Sequence, residues 1–242
     1  MKIVAKTDKG ISRESNQDAY AVGEFPSEAV WAVVCDGMGG AAGGNIASKL
    51  AVKVISEKIN SSFNTKMRDA SIANMLDSAI TAANIEVFDL ADSRPELKGM
   101  GTTVVCAVVR DNTAVIAYAG DSRAYIASKT ELNQITTDHS YVQDLVNSGK
   151  ITPAEAETHP NKNLITRAVG VDKWIDVDFA VTEINDDETL ILCSDGLTNY
   201  VSVDEMLEEL RDGQYYAFAD RLVNRANNNG GGDNITVVAI TK

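Results

Sequence analysis

Apolar residues along this chain fall into two kinds of pattern. Five runs are short and unbroken: AVWAVVC (29–35), TTVVCAVV (102–109), AVIAYAG (114–120), TLILC (189–193) and ITVVAI (235–240). They are rich in Val, Ile and Thr and bounded by Gly, Asp or Asn, as strands are. RDNT, between the second and third runs, reads as a hairpin turn. The spacing then becomes helical elsewhere. Ile46, Ala47, Leu50, Ala51, Val54, Ile55 and Ile59 share one face of 45–59. Ile72, Met75, Leu76, Ala79, Ile80, Ala83, Val87 and Phe88 do the same over 69–90. Further helices are expected at 139–148, 203–211 and 215–228.

Clustered strands with helices in separate pairs predict an α+β protein on antiparallel sheet, not a βαβ repeat. Residues 149–165, GKITPAEAETHPNKNLI, hold two of the four prolines. They read as a flap, an excursion from a single domain spanning 1–242.

Composition narrows the function. The shares of 44% hydrophobic and 24% charged residues are those of an ordinary globular chain. No run approaches the roughly 18 apolar residues of a membrane span. A net charge of −13 argues against a nucleic-acid partner. It permits a phosphorylated substrate, because metal ions can supply local positive charge. Cys35, Cys106 and Cys193 sit in apolar runs without paired spacing, which reads as buried reduced thiols rather than a zinc site. His139 and His159 are the only histidines, which leaves little room for histidine-based chemistry. The polar first residues do not form a signal peptide, so a cytoplasmic address is expected; a monomer is the default expectation.

Aspartates carry the candidate chemistry. Asp36, Asp121 and Asp195 follow apolar runs, and Asp233 immediately precedes the NITVVAI stretch. Any one of them alone is a turn signal. If neighbouring strands bring these ends to one edge, the carboxylates meet in a small volume. They then stay ionised together only with cations between them. Oxygen-only ligands suit Mg²⁺ or Mn²⁺. Glycine after aspartate lets a backbone carbonyl approach a metal. Two such ions roughly 3.5–4 Å apart can share and acidify a water for attack on phosphorus. CDGMGGAAGG lacks the Lys-Ser/Thr ending of a phosphate-binding loop, and no calcium-type loop is present.

These stretches, in order, resemble the type 2C metal-dependent Ser/Thr protein phosphatases in their compact bacterial form. The resemblance runs through RESNQD (13–18), VCDGMGG (34–40), GMGTT (99–103), AGDSRAY (119–125) and TDHSYVQDLVNSGKIT (137–152). It continues through HPNKNLITRAVG (159–170), LCSDGLTNYV (192–201) and GGGDNITVV (230–238). It implies a four-layer αββα sandwich with a metal site at one edge. Two Mn²⁺ or Mg²⁺ ions would be held by Asp36, the Gly37 carbonyl, Asp195 and Asp233, with Asp121 and Asp195 offering a third, weaker site. Asp18 would orient metal-bound water, and Arg13 would clamp the phosphate. The implied reaction is hydrolysis of phosphoserine or phosphothreonine by a metal-bridged hydroxide with no phosphoenzyme. The partners would be phosphorylated proteins made by a Ser/Thr kinase.

The chain departs from that pattern at two places. Ala41 stands where many bacterial members carry a histidine regarded as proton donor to the leaving group. Gln17 stands where some relatives have Glu; its amide can still orient water. Arg123 and Arg167 read as structural, Asn234 as a brace for the Asp233 turn, and the DHS at 138–140 as a helix start. Thr102 and Thr103 read as strand residues beneath the site. Two other functions stay open: a non-catalytic phosphoprotein binder, and a hydrolase of small phosphoesters.

Overall fold

The computed structural model describes residues 1–26, 29–211 and 213–242, with the backbone alone at 41 and 42. In chain order it begins with strands β1 (Lys2–Asp8), β2 (Asp18–Glu24) and β3 (Val30–Met38). Helices α1 (Gly40–Ser62) and α2 (Asp69–Ser93) follow. Then come β4 (Gly101–Thr102), β5 (Val104–Arg110), β6 (Thr113–Ala119), β7 (Arg123–Ala127) and β8 (Leu132–Gln134). Short helices α3 (Tyr141–Asn147) and α4 (Pro153–Glu157) lead to β9 (Asp178–Glu183) and β10 (Thr189–Cys193). Helices α5 (Asp195–Thr198), α6 (Val203–Arg211) and α7 (Phe218–Asn228) precede β11 (Ile235–Thr241).

Two antiparallel sheets result, ordered β1-β11-β10-β7-β8 and β2-β3-β5-β6-β9, with β4 added beside β3. Alternation along β3 shows why its apolar run is continuous. Val30, Ala32 and Val34 join Leu190, Leu192, Val238 and Ile240 of the other sheet in the central core. Trp31, Val33 and Cys35 face the opposite way, into a second core with Ile55, Leu76 and Ile80 of α1 and α2. A third core joins Ile191, Cys193 and Val237 to Phe218, Leu222 and Val223 of α7. Both faces of each sheet are therefore covered, and the layers run α-β-β-α as expected. No helix among the described residues is long and apolar enough to cross a membrane.

Several elements differ from the expectation. Strands β1, β2, β7, β8 and β9 have no long apolar run in the sequence. Strand β9, DFAVTE, alternates half-buried and exposed positions because it lies at a sheet edge. The run expected at 102–109 divides at Thr103, whose amide donates to the Asp36 carbonyl instead of extending one strand. Helix α1 begins at Gly40, not at 45, so Gly40, Gly43 and Gly44 lie inside it. A Cβ on Gly44 would come 2.6 Å from the Gly37 carbonyl. The missing side chain lets the first turns of α1 lie directly on the end of β3. The hairpin at RDNT is present, with Asp111 at φ 54 as a tight turn of this kind requires. Within 149–165, α4 carries a Thr152–Glu155 capping box and buries none of its residues.

Candidate active site

Topology explains why the aspartates meet. Strand β2 is antiparallel to β3, so Asp18 at its start pairs in register with Asp36 near the end of β3. Strand β6 is antiparallel to β5, which is antiparallel to β3. Strand β6 therefore ends at the same edge, delivering Asp121. In the other sheet β10 and β11 are antiparallel neighbours, so Asp195 after one lies beside Asp233 before the other. An open cleft of about 810 Å³ at this edge is lined by Arg13, Asp36, Gly37, Asp121, Asp195 and Asp233. Asp18 is absent from that lining and lies buried beside it, 4% exposed.

The carboxylates disturb one another strongly. Burial, then the charges of Asp18, Asp195 and Asp121, pushes Asp36 well above its ordinary range. Burial, then the charge of Asp233, raises Asp195. Burial pushes Asp121 up to about 7, with Asp195 and Asp138 adding to it. Asp18 also rises to about 7 through burial, although the Thr236 and Ser194 hydroxyls donate to its Oδ2 at 2.7 Å. The remaining oxygens, Asp18 Oδ1 and Asp195 Oδ1, are buried without a hydrogen-bond partner. Buried acceptors left this way call for a cation or a proton. Among the described residues no group of three or more His, Cys, Asp or Glu encloses one metal position. The donor set instead fits hard ions held by carboxylate pairs and completed by a carbonyl and water.

Arg13 supplies the cationic side chain of the cleft lining. Its Nη2 lies 2.8 Å from Asp233 Oδ2, and the side chain is 52% exposed, leaving donors directed to solvent. The loop that presents it is held by Asn234. Asn234 Oδ1 accepts from the Gln17 amide N–H at 2.7 Å, while its Nδ2 donates to the Lys9 and Ser15 carbonyls at 2.9 and 3.0 Å. Asn234 therefore braces the arginine loop as well as its own turn, where its N–H donates to Asp233 Oδ1 at 2.8 Å. The Gln17 side chain is anchored at its amide nitrogen. Its Nε2 donates to the Gly40 carbonyl at 2.8 Å and ties the loop to the start of α1. The side chain of Ala41 lies outside the described residues.

Three supporting groups carry no sequence signal of their role. Thr103 Oγ1 accepts from the Asp36 N–H at 2.9 Å, and Thr102 Oγ1 donates to the Asp36 carbonyl at 2.8 Å. Plain strand residues by composition, they clamp Asp36 from both sides of its peptide unit. His139 is buried behind the cleft, stacked on Tyr118, and accepts at Nδ1 from the Gly120 N–H at 3.0 Å. Its Nε2 therefore carries the hydrogen, 3.2 Å from Asp178 Oδ2, and Asp178 Oδ1 accepts from Arg167 at 2.8 Å. Burial lowers its pKa, with the Asp178 hydrogen bond acting against it. It braces the turn that precedes Asp121 and stays out of the cleft. Arg123 is engaged with Asp138, at 2.9 Å from Nε and 2.6 Å from Nη2. The three cysteines are buried and free.

Such a sandwich, with an acidic cleft and one arginine at its edge, defines a family. Residues 10–236 match the family model described as Protein phosphatase 2C, and the chain belongs to that family. It is 38% identical over 238 residues to the serine/threonine phosphatase stp of Listeria innocua, covering 98% of this chain and 94% of that protein. The structure of serine/threonine phosphatase Stp1 from Staphylococcus aureus matches with a TM-score of 0.93 at 36% identity, covering 100% of this chain and 94% of that one. The catalytic domain of the phosphatase PstP, solved in complex with two manganese ions, matches with a TM-score of 0.85 at 33% identity, covering 98% and 96%.

Proposed function

We propose that this chain is a Mn²⁺- or Mg²⁺-dependent phosphatase of phosphoserine and phosphothreonine in proteins. The observation that carries the reading is the convergence of Asp36, Asp121, Asp195 and Asp233 on one cleft, with Arg13 beside them. Family membership and the phosphatase relatives support it. Asp36, the Gly37 carbonyl, Asp195 and Asp233 would hold two ions, and Asp121 with Asp195 a third. Bound there, the ions would lower the pKa of water and screen the charge of the phosphoryl group.

The chain's own residues do the rest. The exposed guanidinium of Arg13 offers a planar fork of N–H donors to two phosphoryl oxygens. Asn234 and Gln17 hold that fork in place through the loop bonds described above. Thr102 and Thr103 fix the peptide of Asp36, so its carboxylate stays directed into the cleft. Asp18 holds a carboxylate oxygen in reserve behind Asp36, ready to accept a hydrogen bond from ordered water. Among the described cleft residues there is no Cys or His to act as nucleophile. The Thr103 hydroxyl is engaged with Asp36 and, at 2.7 Å, with Ser122. The lack of Cys and His in that lining supports direct hydrolysis without a phosphoenzyme as the reading.

The test is phosphate release from a phosphothreonine peptide with added Mn²⁺. Activity that vanishes with chelator and with Asp233→Ala supports the reading. Activity equal in the presence of chelator would refute it.

A further inference from the structure

A sheet can still add a strand at its edges. The two sheets end on four edge strands, β1 and β8 in one and β2 and β9 in the other. Three of these are blunted. Strand β1 carries Lys2 and Lys6, and the Tyr215 hydroxyl donates to its Lys2 carbonyl. Strand β8 has only three residues. Strand β2 turns Ala19 and Ala21 into one core and Tyr20 into another. Strand β9 differs: its six residues, DFAVTE, include no Lys and no Pro. Two of its large apolar side chains are open to solvent, Phe179 at 41% and Val181 at 56%. An apolar edge without such devices is a template for pairing with another chain.

Register shows which groups face outward. Phe179 and Val181 lie opposite Ala117 and Val115 of β6, which belong to the core shared with α1 and α2. The two side chains continue that face of the sheet into solvent. The Ile184 N–H donates to the Asn112 carbonyl at 2.7 Å, in line with the β6–β9 register. Antiparallel alternation then directs the backbone groups of Ala180 and Thr182 to β6, and those of Phe179 and Val181 to the open edge. The chain leading into β9 is held in place. Buried Asn84 of α2 accepts from the Gly170 N–H at 2.7 Å and donates to the Asp172 carbonyl at 3.0 Å. Those bonds fix the loop that presents Trp174, which is 79% exposed. Trp174, Phe179 and Val181 stay out of the acidic cleft.

Charge identifies the occupant. Residues 172–188 hold seven acids against one base, Lys173. Asp172 and Asp176 precede the strand and Glu183 and Asp187 stand at its end, all four exposed. A second copy pairing antiparallel through β9 would set the acidic start of one strand against the acidic end of the other, like charge against like. We propose that β9 is a docking edge for an extended segment of another protein, apolar at its centre and basic at both ends, which adds to the sheet as a further strand. Backbone bonds to Phe179 and Val181 supply affinity, and Lys or Arg beside the flanking acids supply selectivity. Because these residues stay out of the cleft, the docking does not depend on the phosphatase reading.

The probe is the synthetic peptide KKTVTVTVTKK, titrated into the full chain beside two controls, EETVTVTVTEE and the strand-breaking KKTVPVPVTKK. Trp31 is 2% exposed and Trp174 is 79% exposed, so a shift in tryptophan emission reports on the loop beside β9. The basic peptide should bind about ten-fold or more tighter than either control, and its margin over the acidic one should shrink with added salt. Val181→Pro removes one outward N–H and keeps the bonds to β6. It should retain the circular dichroism of the unmodified chain and weaken the basic peptide about ten-fold. Joint Asp176→Lys and Glu183→Lys substitution leaves the backbone edge intact and should reverse the order of the basic and acidic peptides. The proposal is overturned if the basic peptide binds no tighter than the controls, if folded Val181→Pro binds it unchanged, or if the double substitution leaves the order as it was. A dimer of the unmodified chain that Val181→Pro dissolves would also overturn it, by giving the edge to a second copy.

Discussion

Acidic residues are crowded in two places in this molecule, and the two are built differently. Between α6 and α7, Glu209 meets Arg221 at 3.0 Å and Arg225 at 2.7 Å, while Glu208 lies 3.0 Å from Arg225. Every acid there has a guanidinium within reach. At the strand edge, Asp18, Asp36, Asp121, Asp195 and Asp233 lie close together with Arg13 as the cation of the cleft lining, and two carboxylate oxygens are buried without partners. The first arrangement is complete within the fold. The second becomes electrostatically complete only with ligands, protons or ions from outside. That difference separates a structural cluster from a reactive one, although the residue types overlap.

Five experiments would break or sharpen the contrast. Asp36→Ala should lower Mn²⁺-stimulated phosphate release on the order of 10³-fold or more. It should also abolish the rise in melting temperature that Mn²⁺ produces. Retained activity would move the reactive centre elsewhere. Arg13→Ala should reduce kcat/KM about 100-fold, and Arg13→Lys should not restore it, because ammonium lacks the bidentate fork. Ala41→His should raise turnover on phosphothreonine peptide by up to about 100-fold, with a smaller gain on an aryl phosphate whose leaving group needs no proton. Equal gains on both substrates would argue against a missing proton donor.

The pH dependence of stability gives a quieter test. Asp18 and Asp121 sit at about 7 in the folded chain, above their ordinary carboxylate value. The folded, metal-free protein therefore binds more protons than the unfolded chain between roughly pH 4 and 7. Its stability falls as pH rises through that window, and the penalty is complete above the folded pKa. With chelator, melting temperature should drop by about 5 °C between pH 5 and 7.5 relative to the Mn²⁺-loaded protein. The smallest effect belongs to the paired cluster. Glu209→Ala should destabilise the fold by about 1–3 kcal/mol and leave kcat unchanged, measured by denaturant titration and peptide turnover.

The central strands were legible because their runs are apolar throughout, and the structure shows why: β3, β5, β10 and β11 are covered on both faces. Edge strands such as β9 were not, since half their positions meet solvent and their composition resembles loop. Asp36, Asp121, Asp195 and Asp233 were legible as a set because each stands at the end of such a run. The long-range partners of their neighbours were not. Thr102, Thr103, Asn234 and His139 carry common side chains whose partners come from far along the chain: Asn234 Oδ1 accepts from Gln17 across 217 positions.

Local pattern alone thus determined the layered α+β architecture and the recurrence of acids at strand ends, because burial periodicity and turn chemistry act over a few residues. Only the tertiary structure decided that those ends share one edge, since strand direction and sheet order are set by pairings between distant segments. It alone decided that α1 starts at Gly40 and takes in Gly43 and Gly44, because that depends on how closely Gly44 meets Gly37. It also set the proton affinity of Asp18. The sequence shows the carboxyl group, and the fold supplies the burial and the neighbouring charges that move it.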